Sequence, residues 1–241
     1  MKLKKIASLV LAGVMAVSML TACGEANNNN DTQKPTEPDV TPAAGYSATF
    51  EGRLGSVAGS KISMSDSNEL DSALKAAMDF AAHNHIANNY DKNLNNQVTF
   101  VKGATNDGND LHQVAAELIK KADTDRESMG KDVFNIINVL KPDHAIVKYD
   151  KDNVDVVMMY VVNGGLSTEA AVMEVADELN TYIEQLDMSY DKYPVGGEGD
   201  STSEVVYNYT GSVSADTITL DADHGKSMTF VAVEIVRHLG R

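Results

Sequence analysis

Val154-Asp-Val-Val-Met-Met-Tyr-Val-Val162 is followed by Asn163-Gly-Gly165 and then by Ser167-Thr-Glu-Ala-Ala-Val-Met-Glu-Val-Ala-Asp-Glu-Leu-Asn-Thr-Tyr-Ile-Glu-Gln-Leu186. The first run is β-branched and apolar on both faces except at Asp155. Such a strand belongs in the middle of a sheet that is covered on both sides, or covered by helix and interface. The glycines make a turn. Beyond it, Val172, Val175, Ala176, Leu179, Ile183 and Leu186 recur at helical spacing, which predicts an amphipathic helix starting at Ser167 or Thr168. A strand and a helix of this kind predict an α+β fold with an antiparallel-rich sheet and amphipathic helices packed on it.

Upstream of the strand, Ala145 to Tyr149 reads as its hairpin partner across Asp150-Lys-Asp-Asn153. Downstream, Tyr190 to Ser203 reads as a loop, and Pro194-Val-Gly-Gly-Glu-Gly199 in it supplies flexibility. A phosphate cradle would need a helix directly after the glycines, whereas a β-rich segment follows. Three strands are expected there, Val205 to Val213, Thr217 to Leu220 and Met228 to Val236, the last two joined at Asp223-His224-Gly225-Lys226.

The earlier half alternates between the same two periods. Tyr46, Ala48 and Phe50 alternate with polar residues, which predicts a strand over 46–54, a turn over 55–60 and a second strand over 61–64. Asp66-Ser-Asn-Glu69 has the form of a helix start, and Leu70, Ala73, Leu74, Ala77, Met78 and Ala81 carry the helix on. Gln97 to Val101 reads as a short strand and 102–109 as a turn-rich loop. Asp110-x-x-Gln113 opens another helix, with Leu111, Val114, Ala115, Leu118 and Ile119 on one face. Val133, Ile136, Ile137 and Leu140 suggest a third, which Pro142 stops. Gly52-Arg-Leu54 with Lys61 to Met64 weakly echoes Gly211-Ser-Val213 with Thr217 to Leu220, so the two ends of the domain are candidates for pairing in one sheet.

The first two dozen residues have another logic. Lys2, Lys4 and Lys5 precede an apolar stretch from Ile6 to Met19, and Leu20-Thr-Ala-Cys23 follows. The stretch is shorter than the ~20 residues that comfortably span a bilayer, and its flanks are those of a secretory signal. Leu20 to Cys23 resembles the lipobox of bacterial lipoproteins, over residues 1–23 alone. That resemblance implies a signal peptide at 1–22 and diacylglyceryl and acyl groups on Cys23 as the mature N-terminus. It also implies anchoring at the cell membrane, facing outside the cytoplasm, since two or more acyl chains hold where one is marginal. Residues 23–45 then form the lipidated Cys and a tether of Asn, acids and Pro35, Pro38 and Pro42. This composition cannot offset its ordering entropy, and as a flexible coil it would reach about 25 Å. Residues 46–241 are the extracytoplasmic α+β domain.

Composition limits the chemistry. Cys23 is the only cysteine. Once lipidated it leaves no disulfide, thiolate metal cluster or thiol nucleophile. The formal charge is −15, and removing three lysines with the signal makes it more negative. Such a surface repels nucleic acid, while its acids are spread as on a solvated surface. No nucleophile elbow, zinc-binding helix or phosphate loop is present, so no catalytic residue and no cofactor is assigned. His83 and His85 point about opposite ways on a helix, which disfavours a shared metal. Asp150, Asp152 and Asp155, and again Asp221, Asp223 and His224, cluster at turns. Either group can hold Ca²⁺ weakly, and solvated hairpin acids is the stronger reading.

Two function classes follow. One is a non-enzymatic binding or accessory lipoprotein, its partners the membrane through the lipid and an envelope protein or cell-wall component. The other is a membrane-tethered hydrolase with catalytic residues dispersed in sequence.

Overall fold

The structure, a computed structural model, describes residues 45–83, 98–101, 110–121, 133–142, 150, 153–163, 165–192, 203–220 and 226–240. The expectations for Cys23, the tether to residue 44, His85, 102–109, 145–149, Asp152, 193–202 and 221–225 lie outside them. In chain order the elements are α1 (Tyr46–Arg53), α2 (Ser56–Gly59), β1 (Ile62–Met64), α3 (Asn68–His83), β2 (Thr99–Val101) and α4 (Asp110–Lys121). They continue as α5 (Val133–Asn138), β3 (Val154–Asn163), α6 (Thr168–Glu184), β4 (Ser189–Lys192), β5 (Ser203–Leu220) and β6 (Lys226–Leu239).

Strand β3 is interior. Val154 and every residue from Val156 to Val162 are at most 2% exposed. Because side chains alternate along a strand, β3 feeds two separate cores. Val154, Val156, Met158, Tyr160 and Val162 join one core with Phe50 of α1, Ile136 of α5 and Val172, Val175, Leu179 and Ile183 of α6. Val157, Met159 and Val161 join the other with Leu70, Leu74 and Ala77 of α3 and Leu111, Val114 and Leu118 of α4. The result is an α+β domain of three layers: α1, α5 and α6, then the sheet, then α3 and α4.

The sheet runs β1-β5-β6-β3-β2, with β4 also paired to β5. The β1–β5 pair is parallel and the other pairs antiparallel. The two ends of the domain therefore do share a sheet, with Ile62 opposite Tyr209 and Met64 opposite Gly211. Gly211 has no room for a side chain: an added Cβ would lie 2.9 Å from the Glu234 carbonyl oxygen and 2.7 Å from Met64 Sδ.

Three expectations need correction. Residues 46–53 are a helix, not a strand. Phe50 and Ser47 are buried and Tyr46 and Leu54 pack against the same core, so the buried set i, i+1, i+4, i+8 is a helical stripe. Alternation over five residues could not distinguish it, because Tyr46 and Phe50 satisfy both periods. Asp66 does not cap the helix that follows it. Its carboxylate accepts from Gly45 N at 2.9 Å and Ser47 N at 3.3 Å, holding the start of α1, while Ser67 Oγ caps α3 by accepting from Leu70 N. The C-terminal segment forms two long strands rather than three. β5 passes through Ser214-Ala-Asp216 unbroken because β6 pairs with it from Tyr207↔Leu239 to Leu220↔Lys226. The expected loop at 190–203 also starts and ends in strand, with Ser189–Lys192 against Ser203–Val206.

Helix α6 is held at both ends. Ser167 Oγ accepts from Ala170 N, satisfying one of the free N–H groups of its first turn. Lys61 Nζ donates to the Glu184 and Leu186 carbonyls, each at 2.6 Å. Arg53 forms an ion pair with Asp177 on its outer face.

Candidate functional site

Among the described residues, helices α3 and α4 cover one end of their sheet face and no element covers the other. They lie over Val157 to Val161 of β3 and Met228 to Ala232 of β6. By strand alternation, the other end of that face presents Asn153, just before β3, and Asp155 of β3 with Glu234, Val236 and His238 of β6. From β5 it presents Val206, Asn208, Thr210 and Ser212. Asn153, Val206, Asn208 and Thr210 are exposed, Asp155, Glu234, Val236 and His238 are partly so, and Ser212 is buried where the open face meets the covered end. The register sets Asn208 opposite His238, Thr210 opposite Val236, Val236 opposite Asp155, and Ser212 opposite Glu234.

Two hydrogen-bonded groups stand on this half-sheet. Thr210 Oγ1 lies 2.8 Å from His238 Nε2, and His238 Nδ1 lies 2.8 Å from Asn153 Oδ1. An amide oxygen can only accept, so in the neutral ring Nδ1 carries the proton and Nε2 is the acceptor for the Thr210 hydroxyl. Asn153 holds its place at φ 56°, the one positive φ among the described non-glycine residues. Asparagine tolerates that left-handed conformation better than most side chains. The second group is Ser212, whose Oγ donates to Glu234 Oε2 at 2.8 Å. Burial pushes the Glu234 carboxyl above the ordinary carboxylate range. Asp155 and Glu69 push the same way, and the Ser212 bond opposes them.

The opposite face of the same strands carries a fully buried Arg237. Its Nη1 donates to the Leu140 carbonyl at 2.8 Å and its guanidinium lies 4.9 Å from the centre of the Tyr207 ring. Burial lowers its pKa, and the Tyr207 and Tyr209 hydroxyls oppose that shift. Tyr209 donates in turn to the Asp187 carbonyl at 2.7 Å. This constellation ties β5 and β6 to the end of α5 and is closed to solvent at the guanidinium.

Among the residues singled out from sequence, Asp155 lies on the bare half-sheet and His83 ends α3. Among the described residues no three His, Cys, Asp or Glu come together as a metal site. None of their helices is long and apolar enough to cross a membrane. The Thr210–His238–Asn153 chain was not foreseen. Its partners are 28 and 85 residues apart, and only the polar alternation of Asn208, Thr210 and Ser212 signals a wet face there. The chain matches no protein-family model, no characterised protein and no solved structure with which it was compared.

Proposed function

We propose that the protein is a lipid-anchored component of the cell envelope, held at the membrane through Cys23 and facing outside the cytoplasm. In this reading it works as a non-enzymatic binding or accessory module, with an envelope protein or a cell-wall component as partner and no role for nucleic acid. The Leu20 to Cys23 run and the spacer behind it support the anchoring. The observation that supports the binding role is the bare half-sheet, where polar side chains from three strands are ordered by their own hydrogen bonds. Side chains ordered before contact lose less entropy on binding than free ones do.

Two experiments test this. Cys23→Ala in the full chain is expected to move the protein from the membrane fraction to the soluble one, and unchanged fractionation refutes the lipid anchor. Capture from solubilised envelope is expected to yield a saturable partner that Asn208→Lys with Thr210→Lys releases. A partner unaffected by those changes binds elsewhere. The alternative, a membrane-tethered hydrolase with catalytic residues dispersed in sequence, has one observation on its side: the Thr210–His238–Asn153 chain.

A further inference from the structure

Resting on the hydrolase alternative rather than on the binding reading, we propose that Thr210 is a histidine-activated nucleophile that accepts an acyl group from activated esters. A hydroxyl is a weak nucleophile until an adjacent base removes its proton, and the base must itself be oriented by a third group. All three roles are filled on the bare half-sheet. Thr210 is exposed, so an ester can reach its oxygen. His238 Nε2, 2.8 Å away, is the acceptor for its proton. Asn153, 2.8 Å from Nδ1, fixes the tautomer that leaves Nε2 free to accept.

The step balances without any co-reactant. Thr210 Oγ1 bonds to the ester carbonyl carbon as its proton passes to His238 Nε2. The carbon–oxygen bond to the leaving alcohol then breaks, and that oxygen takes the proton back from Nε2. The products are acyl-Thr210 and a free alcohol. Water repeats the sequence to release the acid and restore the hydroxyl.

The register also fixes how fast this is. Thr210 is paired on both sides, with Ser63 of β1 and Val236 of β6, so its backbone groups belong to the sheet. Charge on the carbonyl oxygen must then be met by side chains, and the register puts Asn208 opposite His238 on the same face, which makes its amide the nearest candidate by strand position. Slow acyl transfer that accumulates the acyl-enzyme is the expected behaviour, not rapid turnover.

The test uses the full chain in detergent with para-nitrophenyl acetate as the probe. Nitrophenolate release is followed together with intact mass and peptide mapping. The expected result is one added acetyl group, about 42 Da, on Thr210 as the acyl intermediate. His238→Gln is expected to slow that labelling by about a hundredfold or more, and Thr210→Ser to retain it. Asn153→Gly, which suits the positive φ, is expected to slow it by about tenfold or more. Unfolding midpoints of the variants are measured alongside. Acetylation confined to lysines, or equal labelling of Thr210 in wild type and His238→Gln, overturns the proposal.

Discussion

Ser47 Oγ, in the first turn of α1, accepts the backbone N–H of Val213 in β5 at 2.9 Å, across 166 residues of sequence. The same hydroxyl donates to the Ser65 carbonyl at 3.1 Å. It therefore fills the place beside β5 where β1 ends, and a side chain does what the next strand would have done. Unpaired strand edges invite pairing with other chains. Four residues further on, β5 is closed by another local device, with Thr217 N donating to Asp216 Oδ1. Ser47→Ala leaves a buried N–H without an acceptor. It is expected to cost about 1–3 kcal/mol in denaturant unfolding.

Arg237 is expected to resist its usual conservative replacement. Lysine keeps a charge but lacks the planar group that stacks on Tyr207 while reaching the Leu140 carbonyl. Arg237→Lys should lose about 2 kcal/mol, in line with a charged hydrogen bond. Arg237→Ala, which adds a cavity, should lose about 3 kcal/mol or more. Urea titrations that place lysine level with arginine would show the stacking to be inert.

The Tyr160 hydroxyl is buried and meets no hydrogen-bond partner among the described residues. Desolvation drives its pKa well above the ordinary tyrosine value, so it stays a neutral phenol. The ring itself is useful, packing edge-on to Phe100 with centroids 5.6 Å apart. Tyr160→Phe keeps the ring and removes the stranded hydroxyl. It should be neutral or stabilising by up to about 1 kcal/mol, whereas Tyr160→Ala should lose about 3–5 kcal/mol.

Glu234 makes stability depend on pH. Its folded-state pKa is raised, so folding favours the protonated form. The favourable contribution is complete below the ordinary glutamate value and is lost as pH rises through the higher folded value. Glu234→Gln is expected to raise the unfolding midpoint at neutral pH and to shrink the gain seen on mild acidification. An unchanged pH profile would assign the dependence to other carboxylates.

Long amphipathic segments were legible in the sequence. α3, α4 and α6 each repeat the helical period often enough to exclude the strand period, and β3 was legible from an apolar run broken only at Asp155. Residues 46–53 were not legible because one helical turn and two strand repeats share Tyr46 and Phe50. β5 hid its length for a different reason. Ser214 and Asp216 are turn residues by composition, and only a full-length neighbour in β6 keeps them extended. The half-sheet was readable as polar alternation. Its hydrogen-bonded chain was not, since strand register decides which residues meet, and register is not written in any one strand.

The parallel seat of β1 beside β5 sets a limit on when this domain can exist. Residues 62–64 have no strand to join until residues 209–211 have been made. β5 is in turn steadied by β6, which ends at Leu239. A chain emerging N-terminus first, from a ribosome or through a narrow pore, presents its early helices with no sheet to receive them. Contacts this distant in sequence slow folding, and the share of the α3 and α4 core that β6 supplies through Met228, Phe230 and Ala232 arrives last. The sheet closes only when β6 seats between β5 and β3, and a truncation of β6 would separate the β1, β4 and β5 part of the sheet from the β2 and β3 part.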